Sequence, residues 1–306
     1  MNPEKLNYVL RTNNLTKSYG GVKVVDGVCM NVRQGDIYGF IGKNGAGKTT
    51  FMRMVSGLAA PTEGSITLFG KTELEPERKR IGSLIESPGV YPNMTATENL
   101  EVVRRFLGIT KKNTVEEMLL LVGLSNTGKK KVKQFSMGMK QRLGLAVSLM
   151  RNPDFLILDE PINGLDPSGI KEIRELLQKL NEERRISILI SSHILGELSK
   201  VATRYGIIRN GVLIEEFDAA ELNEKCRRCQ KIVVDDTAKT ARVLEDTLFI
   251  KNFDILENHV IRIFERMDEV EAIHRVLVLA GVGLKESYAA GQDLEGYFMD
   301  LTGDGK

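Results

Sequence analysis

Three stretches of the chain are apolar at almost every position: DIYGFIG at 36–42, FLIL at 155–158 and ISILI at 186–190. Short unbroken apolar runs predict strands buried on both faces, the pattern of a parallel sheet covered by helices. The segment IGSLIE at 81–86 alternates instead, and predicts a strand that ends on a carboxylate, Glu86, before Ser87-Pro88-Gly89. Helical periodicity marks TFMRMVSGL at 50–58, TATENLEVVRRFLGI at 95–109, TVEEMLLLVGL at 114–124 and SMGMKQRLGLAVSLM at 136–150. In the last of these, Leu143, Ala146, Val147 and Met150 predict an amphipathic helix opening at Ser136. The charge run LEPERKR at 74–80 predicts a solvated turn. Beyond residue 225 the pattern reads strand (QKIVVDD), helix (TAKTARVLEDTL), two strands (DILE, HVIRIFE), helix (DEVEAIHRVLVLAG) and strand (VGLKESYA). That βαββαβ order is ferredoxin-like. A final helix is expected over GQDLEGYFMDLTG at 291–303.

A length of 306 residues suggests one large domain with a smaller companion, divided as 1–225 and 226–306, with a helical insertion over about 87–150. Apolar residues at 42%, charged residues at 27% and a net charge of +2 describe an ordinary soluble protein without the basic footprint of a nucleic-acid binder. No apolar window approaches the roughly 20 residues of a membrane span. The polar start MNPEKLNYVLRTNN lacks the apolar core of a signal peptide, so a cytoplasmic location is expected. Three cysteines cannot build a disulfide framework. The Cys226-x-x-Cys229 spacing reads either as half of a zinc or redox site or as two ordinary thiols on a linker helix.

The chemistry begins where the first apolar strand runs into Gly42-Lys43-Asn44-Gly45-Ala46-Gly47-Lys48-Thr49-Thr50. The spacing Gly42-x4-Gly47-Lys48-Thr49 is that of a P-loop, whose backbone N–H groups wrap phosphates while the lysine reaches their β and γ oxygens and the threonine hydroxyl meets Mg²⁺. The helix that follows adds the positive end of its dipole. Such a loop needs an acid for the metal, and Asp159 follows the apolar FLIL strand. Its neighbour Glu160 is placed to polarise a water that attacks the γ-phosphate. Ser136 and Gly138 stand at the start of a helix that offers a second anion site or a plain serine cap. His193 stands at the end of the third apolar strand, where ligands of open α/β sheets bind.

Over residues 10–216 these motifs fall in an order that resembles the ATP-binding cassette family, in particular the ATPase subunit of a membrane transporter. The resemblance implies an α/β P-loop NTPase with a helical subdomain, followed here by the small α+β domain. It implies ATP and Mg²⁺, with Tyr19 of KSYGG stacking on adenine and GKNGAGKT as the Walker A loop. FSMGMKQR takes the place of the family signature, so that Ser136, Gly138, Lys140 and Gln141 would face nucleotide. FLILDE matches Walker B, GLDP at 164–167 brings Asp166 as the D-loop acid, and His193 is the switch histidine. Two domains of this family assemble head to tail, each signature facing the phosphates on the other, so a second copy or a similar domain is implied, as is a separate membrane permease. That permease would place the chain on the inner face of the membrane. Tyr91, Met94 and Phe106 are candidates for the permease contact.

Two departures inform the reading. Met137 and Met139 replace a glycine and a glutamine of the commoner signature, and Glu86 stands where the family usually has the glutamine that ligates Mg²⁺ or the lytic water. A glutamate keeps the oxygen ligand and adds charge, which makes Glu86 a candidate both for the metal and for catalysis. IESPGVYPNMTATENL together with FSMGMKQR looks like the subgroup that exports peptide antibiotics such as bacitracin and lantibiotics. The alternative is a cassette ATPase acting on nucleic acid or ribosomes. Against it, Lys48 and Asp159 lie only 111 positions apart (159 − 48), too close for an intervening long coiled coil, and a single cassette is present.

Overall fold

The computed structural model describes residues 7–193, 195–291 and 296–298, which leaves most of the expected final helix outside the described residues. The chain forms two compact units, Met1–Ala219 and Ala220–Lys306.

In chain order the first unit contains β1 (Tyr8–Tyr19), β2 (Val22–Val28), β3 (Asn31–Arg33), β4 (Ile37–Ile41), α1 (Lys48–Val55), β5 (Glu63–Leu68), α2 (Leu74–Arg78) and β6 (Ile81–Leu84). It continues with α3 (Ala96–Phe106), α4 (Thr114–Leu121), α5 (Met137–Leu149), β7 (Phe155–Leu158), α6 (Pro167–Arg184), β8 (Ser187–Ser192), α7 (Leu195–Leu198), β9 (Arg204–Arg209) and β10 (Val212–Asp218). The central sheet has the order β10-β9-β4-β8-β7-β6, parallel except for the antiparallel edge strand β10. Every residue of β4, β7 and β8 is buried, which is why their sequences carry no alternation. A second, antiparallel sheet of β2, β1, β3 and β5 packs with α1 and the central sheet around one core, where Phe40 and Phe51 meet at 5.2 Å between ring centroids. The strand order matters for function, because β4, β8, β7 and β6 are successive neighbours and their carboxyl ends form one rim.

Three expectations are corrected. LEPERKR folds as the short helix α2, with Glu75 and Glu77 at its positive end and Arg78 bonded back to Glu75. Helix α5 is buried on almost every side rather than on one: Gln141, Gly144, Leu145, Ser148 and Leu149 are covered along with Leu143 and Ala146. It packs against α3, α4 and strand β6, leaving Met137 exposed at its start and Lys140 and Arg142 partly so, and Gly144 is required because a Cβ there would lie 2.8 Å from Pro88 and 2.9 Å from Leu84. Cys229 lies on a strand and not on a linker helix, and burial pushes its thiol pKa up.

The insertion is fastened locally. Thr95 caps α3 in a capping box with Glu98, and the buried Asn99 side chain donates to the carbonyls of Tyr91 and Thr95 while accepting from the Tyr91 N–H. Tyr91 and Phe106 remain exposed, and Met94 is half-buried.

Helix α8 (Ala219–Cys226) starts on the last residue of the first unit, and the second unit continues with β11 (Cys229–Val234), α9 (Thr237–Arg242), β12 (Phe253–Leu256), β13 (Val260–Ile263), α10 (Val270–Leu279) and β14 (Leu284–Ala290). Its antiparallel sheet has the order β12-β13-β11-β14, the ferredoxin-like arrangement the sequence pattern predicts. Ile232, Val234, Ile261 and Ile263 from the sheet pack against Leu244, Ile273 and Leu277. Among the described residues no helix is long and apolar enough to cross a membrane.

Candidate functional site

The rim of the central sheet gathers most of the residues singled out above. After β4 the chain turns through Gly42–Gly47 into α1, and the loop bounds a cavity of about 170 Å³ lined by Val24, Lys43, Asn44, Gly45, Gly47, Lys48, Thr49, Thr50 and Glu160. Gly47 has a φ of 106°, and a Cβ on it would sit 2.5 Å from the carbonyl oxygen of Val24. A Cβ on Gly42 would meet the Ile208 carbonyl at 2.7 Å. Both positions admit only glycine, and Ala46 between them is buried.

Lys48 is 5% exposed, and its Nζ donates to the carbonyl oxygens of Gly42 at 2.5 Å and Lys43 at 3.2 Å. The same ammonium lies 3.4 Å from Glu160 Oε1. Thr49 donates its hydroxyl to Asp159 Oδ2 at 2.7 Å, joining the start of α1 to the end of β7. Glu160 has a left-handed backbone, φ 49°, uncommon for a residue with a Cβ and a form of strain that collects at functional sites. Its Oε2 meets His193 Nδ1 at 2.7 Å, whereas Oε1 is buried without a hydrogen-bond partner. Paired among the described residues only with the Lys48 ammonium at 3.4 Å, this buried oxygen of a residue lining the loop cavity is the acceptor to which a water can be matched.

Ser191, which the sequence reading did not single out, holds these acids together. It is fully buried on β8, donates to Asp159 Oδ1 at 2.7 Å and accepts from the Glu160 N–H at 2.9 Å. One hydroxyl thus orients both carboxylates. Within an apolar strand a serine reads as a tolerated small residue; the signal available was its position two residues before His193.

Other candidates lie apart from this network. Tyr19 ends β1, is half exposed and has Lys17 Nζ 4.9 Å from its ring centroid. Glu86, also left-handed at φ 66°, makes its ion pair with Arg53 of α1 at 2.5 Å and not with Thr49 or Asp159. Asp166 stands at the N-cap position of α6 without a side-chain cap bond, and the Ser168 hydroxyl that bonds it at 2.6 Å is the main cause of its lowered pKa. Ser136 caps α5 by accepting from the Met139 N–H at 3.3 Å. Ser136, Gly138, Lys140 and Gln141 do not line the P-loop cavity. Gly138 and Met137 instead approach Leu165 and Gly164 of the GLDP segment, and Gln141 is buried with its Oε1 unpartnered.

The residues fit the groups they would hold. A hydroxyl and a carboxylate side by side, Thr49 and Asp159, are hard oxygen donors of the kind Mg²⁺ takes together with phosphate oxygens. Gly45 and Gly47 line the cavity without a side chain, and beside Gly45 the space is open, as close approach of a phosphate to the backbone requires.

Comparison with known proteins agrees with this geometry. The family profile described as ABC transporter matches residues 25–163. The bacitracin transport ATP-binding protein BcrA of Bacillus licheniformis is 43% identical over 300 residues, 97% of this chain and 98% of that protein. The lantibiotic transport ATP-binding protein SrtF of Streptococcus pyogenes is 46% identical over 215 residues, 70% of this chain and 93% of its own length. Among solved structures, a dimeric post-hydrolysis ATP-binding cassette bound to ADP and Pi matches with a TM-score of 0.63 and 25% identity, covering 69% of this chain and 98% of that one. The chain therefore belongs to the ATP-binding, ATP-hydrolysing subunits of the ABC transporter family.

Proposed function

We propose that this chain powers the export of a peptide antibiotic through a separate membrane permease, working as a head-to-tail pair of copies on the inner face of the membrane. The observation that carries the reading is the linked set Lys48, Glu160, His193, Ser191, Asp159 and Thr49 on the rim of adjacent parallel strands. The substrate class is supported by the likeness to bacitracin and lantibiotic transport proteins, the first along nearly the whole chain. These relatives are transport proteins, and no observation favours the nucleic-acid or ribosome alternative.

In this reading the amides of Gly42–Thr50 wrap the phosphates of ATP, with Tyr19 against the base. Lys48 exchanges its contact with Glu160 for phosphate oxygens, a pairing of about 4 kcal/mol at 4 Å and an effective dielectric of 20. That exchange frees Glu160 Oε1, the acceptor with no hydrogen bond, to take a proton from water as the water attacks the γ-phosphorus and ADP leaves. His193 Nδ1–H, facing Oε2, keeps the carboxylate turned toward the attack site, beside the place the γ-phosphate would take. Mg²⁺, held by Thr49, Asp159 and Glu86, would neutralise charge that develops on the phosphates. Ser136, Gly138, Lys140 and Gln141 serve the nucleotide of the opposite copy, which accords with their place outside their own P-loop cavity, and Asp166 follows Leu165, which approaches Gly138.

The test is Glu160→Gln. Steady-state ATP hydrolysis should fall by about 10²-fold or more while ATP binding persists; turnover equal to the unaltered protein removes Glu160 from the mechanism.

A further inference from the structure

Two contacts bridge α1 to the acid-bearing loops like successive rungs. Thr49 bonds Asp159, and one helical turn further on Arg53 pairs with Glu86 at 2.5 Å. The rungs are about 6 Å apart along the helix, four residues at 1.5 Å each. The loop that carries Glu86 is anchored next to the first rung, because the Leu84 carbonyl accepts from the Asp159 N–H at 2.8 Å. On its far side Pro88 rests where only a glycine, Gly144 of α5, leaves room. Glu86 is thus held at both flanks in a left-handed backbone conformation, with its carboxylate turned to a cation of α1.

We propose that Arg53 is a positioning residue that restrains Glu86 and so sets the affinity of the nucleotide-loaded site for its divalent cation. The inference rests on the reading of Glu86 as a metal ligand. A glutamate binds a divalent cation more strongly than a neutral amide does, and a resident guanidinium competes for the same oxygens. Metal binding then requires Glu86 to leave Arg53, and the cost of breaking that pair lowers the apparent metal affinity. Both partners are partly exposed, 38% for Arg53 and 56% for Glu86, so the competition is modest: about two- to five-fold in affinity, the range of an exposed ion pair.

The experiment titrates Mn²⁺ into the full chain saturated with a non-hydrolysable ATP analogue and counts free Mn²⁺ by electron paramagnetic resonance. It compares the unaltered protein with Arg53→Gln, Glu86→Gln and the double variant. Glu86→Gln should weaken Mn²⁺ binding, Arg53→Gln should tighten it by about two- to five-fold, and Arg53→Gln should lose that effect in the Glu86→Gln background. Arg53→Lys, which keeps the charge, should stay closer to the unaltered protein than Arg53→Gln does. An effect of Arg53→Gln that is absent, or equal in both backgrounds, overturns the restraint while leaving Glu86 as a ligand. Unchanged Mn²⁺ affinity in Glu86→Gln overturns the ligand reading and the restraint with it.

Discussion

Removing one hydroxyl, in Ser191→Ala, tests whether the two acids are positioned by β8. The fully buried Oγ makes one hydrogen bond to an ionised carboxylate, Asp159, and receives one from the Glu160 amide. A hydrogen bond to a charged group contributes about 1.5–3 kcal/mol, and a buried amide left without a partner costs about 1–3 kcal/mol. The two share an atom and do not add fully, so a stability loss of about 2–4 kcal/mol is expected in urea denaturation. The effect on turnover should be larger in proportion. Glu160 sits in a strained backbone conformation that costs about 1–3 kcal/mol, and its amide bond to Ser191 is part of what holds it there. Release of about 1 Å in the base lowers the rate by roughly 10²-fold. ATP affinity should change little, because Lys48 and the P-loop amides make no contact with Ser191. Equilibrium binding of a fluorescent ATP analogue and steady-state hydrolysis separate these quantities. Turnover within two-fold of the unaltered protein in a folded Ser191→Ala would refute the reasoning, as would an equal loss of binding and turnover.

Lys48→Ala should abolish measurable ATP binding in calorimetry, since it removes the one buried cation of the loop cavity, and retention of micromolar affinity would count against the phosphate cradle. Tyr38→Phe addresses the sheet: the buried phenol donates to Glu216 Oε1 at 2.7 Å, and burial first, then the charge of Glu216, holds its pKa well above the ordinary value. A raised folded-state pKa means that the unfolded chain releases the proton first, so the hydroxyl's contribution is complete below about pH 10 and declines as pH rises beyond it. The variant should be about 1.5–3 kcal/mol less stable at pH 7, with the gap narrowing in alkali; a gap independent of pH would contradict the assignment.

What the sequence made legible follows from how strongly each feature constrains local residue choice. Strands β4, β7 and β8 are buried throughout and carry unbroken apolar runs, so they stand out. The P-loop is equally legible, because Gly42 and Gly47 have backbone carbonyls within 3 Å of any added Cβ. The ferredoxin-like order survives because its turns and periods are regular. Features that depend on distant partners were hidden. The Arg53–Glu86 pair joins residues 33 positions apart, and nothing in either segment names the other. Ser191 acts through hydrogen bonds to residues 31 and 32 positions away. The burial of α5 comes from the helices and strand that surround it, which its own periodicity does not encode. The left-handed backbones of Glu86 and Glu160 are likewise imposed by their surroundings, since glutamate by itself disfavours them.

The central proposal is that each nucleotide site is completed by a second copy of the chain. Its most direct measurement is the mass in solution of the Glu160→Gln variant, by light scattering, with and without ATP and Mg²⁺. The account predicts a monomer without nucleotide and a stable dimer with it, and further predicts that adding Ser136→Glu to that variant prevents the dimer. A mass that stays monomeric at saturating ATP would contradict it.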